Sequence, residues 1–293
     1  MINWPEKLIT AVARRRCVLF LGAGVSANAT NKDGDRPPTW KTFLEKILAD
    51  NAARLASDTA ELQDLINNSE YLIACEIIVD KLGESVFGDL TASAFRRPGY
   101  KPSDIHKAIF GLDSRIVISP NVDKIYEDYA SSESASTVVV KSYSDRDLAK
   151  YIRSEDYLII RAHGSVDETA KMIFTHGQYS NARIEYSSFY RLLDALILTH
   201  TFLFIGCGIN DPDIQLVLEN ANFSYKECPP HYFLTAENAF NPGRQRIICK
   251  NRNLEMLTYE NPDGSHANLL TELNALKDLV EKKRGELSGN YSW

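Results

Sequence analysis

Four short segments carry side chains suited to chemistry, and each directly follows an apolar run. Gly22-Ala23-Gly24-Val25-Ser26 follows residues 18–21, and Pro120-Asn121-Val122-Asp123 follows 116–119. His163-Gly164-Ser165 follows 158–162, and Gly206-Cys207-Gly208-Ile209-Asn210-Asp211-Pro212-Asp213 follows 202–205. The first segment, with Ala27 in its last place, has the form G-x-G-x-x-[G/A]. Gly22 permits a tight turn, and Gly24 lets the backbone approach phosphate oxygens where the next helix offers free N–H groups and the positive end of its dipole. That pattern points to a nucleotide pyrophosphate. Asn121 offers one acceptor and two donor hydrogens. His163, with an ordinary imidazole pKa of about 6.5, is poised to exchange protons at neutral pH. Asp123, Asp211 and Asp213 are either ligand contacts or helix caps. Cys207 is a possible nucleophile, though nothing in the sequence sets a base beside it. His176, in Phe174-Thr175-His176-Gly177, is a rival base set past an expected hairpin, whereas His106, His200, His231 and His266 have no motif around them.

A hydride-transferring enzyme would show a second strand ending in an acidic residue about 20 residues after the glycine turn. Here residues 28–38 form a polar loop instead. Thr39 then reads as the N-cap of an amphipathic helix with apolar residues at 40, 43, 44, 47 and 48.

The elements that must position these residues follow from periodicity. Short apolar runs at 18–21, 116–119, 138–140, 158–162, 202–205, 232–234 and 254–257 read as buried parallel strands. Helical patterns lie at 123–130, 145–152, 212–221, 243–251 and 267–283, the last with leucines at 269, 270, 273, 276 and 279. Such alternation predicts an α/β fold with a Rossmann-like, doubly wound parallel sheet. Ligands of such sheets sit outside the carboxyl ends of the strands, so the four polar ends are expected to meet in one crevice. Residues from about 40 to 110 show helical periods and no strand, and read as a helical insertion between the first and second strands, covering a sheet edge or, as alternatives, forming a lid over the nucleotide site or a partner surface. One domain is expected over 1–283, followed by a charged, loosely ordered tail over 284–293.

Composition narrows the field. A net charge of −6 gives no global basic surface, so strong direct binding to nucleic acid is not expected. The five cysteines (Cys17, Cys75, Cys207, Cys228 and Cys249) contain no C-x-x-C pair, which suits neither a zinc module nor a disulfide framework. A reducing cytoplasm and no metal are therefore expected. Arg14-Arg15-Arg16, the apolar run and Ala27-Asn28-Ala29 imitate a signal peptide, but cleavage there would discard the glycine turn. The most apolar stretch, 196–207, is interrupted by Thr199, His200 and Thr201 and too short to span a membrane.

Taken in order, GAGVS at 22–26, PNVD at 120–123, HGS at 163–165 and GCGIND at 206–211 resemble the sirtuin family. The resemblance implies a Rossmann-like domain that binds NAD and cuts the bond between nicotinamide and ribose. It places Asn121 and His163 at the reaction, Asp123 at the ribose or the nicotinamide amide, and Gly22, Ala23, Gly24, Ser26, Gly206, Cys207 and Asp211 around the dinucleotide. Protein-deacetylating sirtuins carry two cysteine pairs and an Ile-Pro-Asp-Phe-Arg-like stretch. This chain lacks both, having Arg36-Pro37-Pro38-Thr39-Trp40 in the second place. Pro-x-Trp, Thr175-x-x-x-Tyr179 and Asp211-Pro212-Asp213 look instead like the sirtuin-like NAD hydrolases of bacterial anti-phage defence, with water as acceptor. The alternatives are a protein deacylase or ADP-ribosyltransferase, and a scaffold that binds NAD or ADP-ribose without turnover. An NAD hydrolase needs restraint, and no sensor domain is expected after the last helix. The resemblance therefore implies control by homo-oligomer assembly or by a second chain such as a HerA-type hexameric ATPase.

Overall fold

A computed structural model of the chain describes residues 1–209, 218 and 228–289. Seven strands form one parallel sheet: β1 (Cys17–Leu21), β2 (Ile116–Ser119), β3 (Val139–Ser142), β4 (Leu158–Arg161), β5 (Thr201–Ile205), β6 (His231–Ala236) and β7 (Leu254–Tyr259). Their order is β3-β4-β2-β1-β5-β6-β7. The expected α/β architecture is present, with each expected run matched by a strand. β4, β2, β1 and β5 are the four strands followed by polar segments, and they are consecutive neighbours in the sheet.

All five residues of β1 are buried, as a strand covered on both faces requires. Leu19 and Leu21 face one core with Leu203 and Ile205, beneath α1 (Glu6–Ala13), α7 (Asp104–Gly111) and the C-terminal helix Ala267–Gly289. Val18 and Phe20 face the other with Phe202, Phe204 and Phe233, beneath α10 (His176–Glu185) and α11 (Ser187–Thr199).

The insertion is helical, as expected: α3 (Trp40–Asp50), α4 (Thr59–Asn67), α5 (Tyr71–Leu82), α6 (Glu84–Phe95) and then α7. Thr39 does cap α3, its Oγ1 accepting the N–H of Thr42 at 3.3 Å. The expected placement over a sheet edge is not what the structure shows. The third core, built from Phe43, Leu44, Ile66, Ile78 and Phe87, takes in no strand residue. It closes instead on Val122, Val166, Met172 and Phe174, the loops after β2 and β4. Those loops offer the apolar side chains that α3 to α6 need to bury.

Three local expectations change. The helix expected over 123–130 begins at Ile125, because the Asp123 carboxylate accepts the Ile125 N–H at 3.0 Å and holds the preceding turn. This helix, α8, runs Ile125–Glu133. The hairpin expected before His176 is absent: a single 3-10 turn at Thr169–Lys171 leads to Thr175, which caps α10. The C-terminal helix continues past residue 283 to Gly289. Leu287 is buried, and the Arg284 guanidinium donates to the carbonyls of Leu112 and Asp113 at 3.0 and 3.2 Å. The helix expected over 212–221 falls, apart from Leu218, outside the described residues, as do Asn210, Asp211 and Asp213.

Candidate functional site at the strand ends

The glycine turns after β1 and β5 lock together through their backbones. The N–H of Gly22 donates to Ile205 O at 3.0 Å, and that of Gly24 to Gly206 O at 2.8 Å. A Cβ on Gly22 would lie 2.5 Å from Gly206 O, and one on Gly24 2.8 Å from the same oxygen. Gly206 has φ +66°, and its own added Cβ would meet Val25 N at 2.5 Å. The N–H groups of Gly22 and Gly24 are thus taken by β5 and its turn, and the glycines are required first for this close approach. The following helix, α2 (Ala23–Ser26), is a single turn, which gives little helix-end field. Ala23 and Gly24 remain exposed at the rim, open to a ligand. The Cys207 Sγ lies 3.4 Å from Ile205 O and 3.5 Å from Phe20 O, packed between β5 and β1.

At the end of β2 side chains join the bonding. The Asn121 amide nitrogen donates to Gly22 O at 3.0 Å and to Ser26 Oγ at 3.1 Å. A carbonyl only accepts, so Gly22 fixes which way the amide points and leaves Oδ1 as the open acceptor. The backbone N–H of Asn121 donates to Ser119 Oγ at 3.2 Å, and that hydroxyl donates to Leu21 O at 2.9 Å. Ser26, buried, bonds onward to the Asp123 carboxylate. Burial pushes the Asp123 carboxyl up, against the lowering effect of the bonds from Ser26 and the Ile125 N–H.

These residues line a cleft with Leu21, Tyr126, Glu127 and Arg161. Arg161 grips Glu127 with two bonds, Nε to Oε2 at 2.6 Å and Nη2 to Oε1 at 2.5 Å. Burial pushes the Glu127 carboxyl up, while the guanidinium pulls it back down. Next to this pair Lys124 binds Asp167 at 2.8 Å, and Asp167 also meets Arg96, the residue after α6, at 3.4 Å. Sequence reasoning missed Arg161 and Glu127. The available signal was a lone arginine ending the apolar run Leu158-Ile159-Ile160.

His163, after β4, is buried, and its Nε2 lies 2.7 Å from the Tyr179 hydroxyl. The two rings meet edge to face, with centroids 5.0 Å apart. His176 stands exposed in the first turn of α10. The structure thus brings Gly22, Ser26, Asn121 and Asp123 into one bonded group. Gly24, Gly206 and Cys207 lie against its β5 side, and His163 stands at the neighbouring strand end. Among the described residues no group of three or more His, Cys, Asp or Glu side chains could hold a metal ion. Nor is any described helix long and apolar enough to cross a membrane.

A doubly wound parallel sheet with polar groups gathered at its central carboxyl ends defines an α/β protein of the Rossmann-like type. Residues 115–257 match the SIR2-like domain family, a span that holds Asn121, Asp123, His163 and Gly206 but not the first glycine turn. The chain is similar to NAD(+) hydrolase ThsA of Acinetobacter baumannii (strain 532279), 20% identical over 275 residues, which are 94% of this chain and 50% of that protein. It is also similar to NAD(+) hydrolase ThsA of Enterococcus faecium, 22% identical over 86% of this chain and 52% of that one. Defense-associated sirtuin 2 of Bacillus subtilis is 23% identical over 94% of this chain and 26% of its own length. The chain spans about half the length of the two ThsA relatives. It is similar to Sir2-type, or sirtuin-like, proteins.

Proposed function

We propose that this chain is an NAD+ hydrolase that releases nicotinamide and ADP-ribose, and that it depletes NAD as an effector of anti-phage defence. The observation that carries the reading is the meeting of four polar strand ends at neighbouring strands, where Ser26, Asn121 and Asp123 form one bonded group. The printed names of the ThsA relatives support it.

In this reading the exposed rim of the Gly22–Ser26 turn, with Gly206, Cys207 and Asp211, passes along the dinucleotide. Breaking the bond from ribose C1′ to nicotinamide sends the bonding pair to the departing neutral base and leaves an oxocarbenium-like ribose. Such a step rewards positioning and charge stabilisation more than covalent help. Asn121, with both amide hydrogens committed, holds its Oδ1 still as an acceptor for a water hydrogen or ribose hydroxyl. The water oxygen bonds to C1′, and its proton passes to His163 and then to solvent. Asp123 holds the ribose or the nicotinamide amide. Turnover is restrained in the cytoplasm by assembly of copies of the chain or by a second chain of the HerA type.

Product analysis of NAD+ incubated with the protein, alone and with its genomic neighbour, tests the reading. Nicotinamide and ADP-ribose are expected, and both Asn121→Ala and His163→Ala should abolish their release. Undiminished turnover in the two variants would sink the site assignment. Light scattering of the active species reads the assembly state, and a fully active monomer argues against control by assembly.

A further inference from the structure

We propose that Tyr179 is the positioning residue of His163, its hydroxyl fixing the orientation and proton arrangement of the imidazole that faces NAD+. The inference rests on the hydrolase reading above and adds to it a residue outside the strand-end motifs. Tyr179 lies on α10, and its hydroxyl reaches His163 Nε2 at 2.7 Å. Both rings are buried, and their edge-to-face contact resists rotation of the imidazole about its own axis.

The helix that presents Tyr179 is itself anchored. Thr175, buried, accepts the Gln178 N–H at 3.1 Å, and the Gln178 side chain accepts the N–H groups of Thr175 and Phe174 at 3.2 and 2.8 Å. This capping box fixes the first turn, and Tyr179 stands one turn beyond its cap. The N–H of Gly177 donates to Glu76 Oε2 of α5 at 3.1 Å, tying the same turn to the insertion. On the other side the N–H of Ile173 donates to the carbonyl of His163 at 3.2 Å, which pins the histidine backbone to the segment leading into α10. An imidazole on a strand-end loop has two side-chain torsions to lose before it can take a proton in line. A buried hydroxyl at Nε2 removes that freedom in advance.

The test uses the full chain, under the conditions that activate NAD+ cleavage, with Tyr179→Phe and Tyr179→Leu. The Phe variant keeps the ring and loses the hydroxyl. Its kcat is expected to fall about tenfold or more with KM within about twofold. The acid limb of its pH–rate profile, and the NMR titration midpoint of the His163 ring, are each expected to move by about half a unit or more. A fall in the midpoint shows that the hydroxyl accepts from Nε2–H and leaves Nδ1 to take the proton, which supports the proposal; a rise shows that it donates to Nε2 and puts the ring proton on Nδ1, which overturns it. A Phe variant with unchanged kcat and an unmoved midpoint overturns it, and a deficit confined to Leu assigns the ring to packing alone. Should the Phe variant not fold, Thr175→Val loosens the helix start without touching either ring. It is expected to move the same acid limb, and an unmoved limb overturns the proposal. A wild-type protein that releases no nicotinamide under any condition overturns the hydrolase reading; Tyr179 is then decided by the titration alone.

Discussion

The two ends of the sheet use buried polar groups differently. Toward the amino ends, side chains bond to backbone. The Ser114 hydroxyl donates to Cys17 O at 2.5 Å, and His231 Nδ1 accepts the Phe202 N–H at 3.1 Å. Arg115 donates to the carbonyls of Tyr151, Ile152 and Ser154 at 3.2, 2.9 and 2.8 Å, where the short helix α9 (Leu148–Ile152) ends. At the carboxyl ends of β1, β2 and β4, bonds to backbone such as Asn121 to Gly22 O and Ser119 to Leu21 O are joined by bonds between side chains: Asn121 to Ser26, Ser26 to Asp123, Arg161 to Glu127, His163 to Tyr179. A bond to backbone satisfies the fold, whereas a bond between side chains holds a reactive group in one pose. The amino edge is scaffold and the carboxyl edge is the proposed site. The glycine clasp between β1 and β5 is a piece of scaffold set inside that edge.

That contrast can be broken at several points. The largest effect is expected from Gly206→Val, which puts a branched side chain at φ +66° and 2.5 Å from Val25 N. Denaturant unfolding should show a loss of about 4 kcal/mol, or no soluble protein, and a loss under about 1 kcal/mol would remove the clasp from the scaffold.

Acid sensitivity should belong to the scaffold. His231 and His106 each use Nδ1 as an acceptor, from the N–H of Phe202 and of Ser103, and burial pushes both down to about 4. Their folded pKa lies below the unfolded value of about 6.5, so the unfolded chain binds more protons in between. Stability is full above about pH 6.5 and falls as pH drops toward 4, by up to about 3 kcal/mol for each histidine. Thermal melts from pH 7 to 4 should fall steeply in the wild type and less steeply in His231→Asn. Equal slopes would refute the assignment.

Arg115→Met should lose about 2 kcal/mol in chemical unfolding while any NAD+ turnover stays within about twofold, since only backbone carbonyls lose partners. Ser26→Ala should behave in the opposite sense, with turnover falling about tenfold, or about 1.4 kcal/mol of barrier, as the link between Asn121 and Asp123 is removed. If Arg115→Met disables turnover and Ser26→Ala spares it, the division between the two ends fails.

The sheet was legible because parallel strands buried on both faces must be written as unbroken apolar runs, as at β1 and β5. β3 was read less accurately. It is an edge strand of half-buried residues, and it extends through Lys141 and Ser142 because these pair with Ile160 and Arg161 in register. Strand order was not legible at all, because it depends on how the crossovers pack. The motifs marked the strand ends but not their partners. Gly206 is 182 residues from Gly24, and no local pattern announces that the two backbones touch. The Thr175 and Tyr179 pattern was visible, yet the contact of Tyr179 with His163 depends on a capped helix turning back from a loop. The length of the last helix is not legible because Arg284 opens a charged tail in the sequence, while its partners lie far away on Leu112 and Asp113.

The position of β1 in the sheet sets the order of events during synthesis. It is made first, yet its neighbours are residues 116–118 on one side and 201–205 on the other. At about 5–20 residues per second, the ribosome takes roughly ten to forty seconds to deliver the second partner. Through that interval Val18-Leu19-Phe20-Leu21 is an apolar strand with an open edge, the kind of segment that pairs with other chains. The core of α3 to α6 draws most of its members from residues 43–87 and can gather in the meantime. Such long separations between paired strands predict slow folding and a need for chaperones, with β1 as the part they must shield.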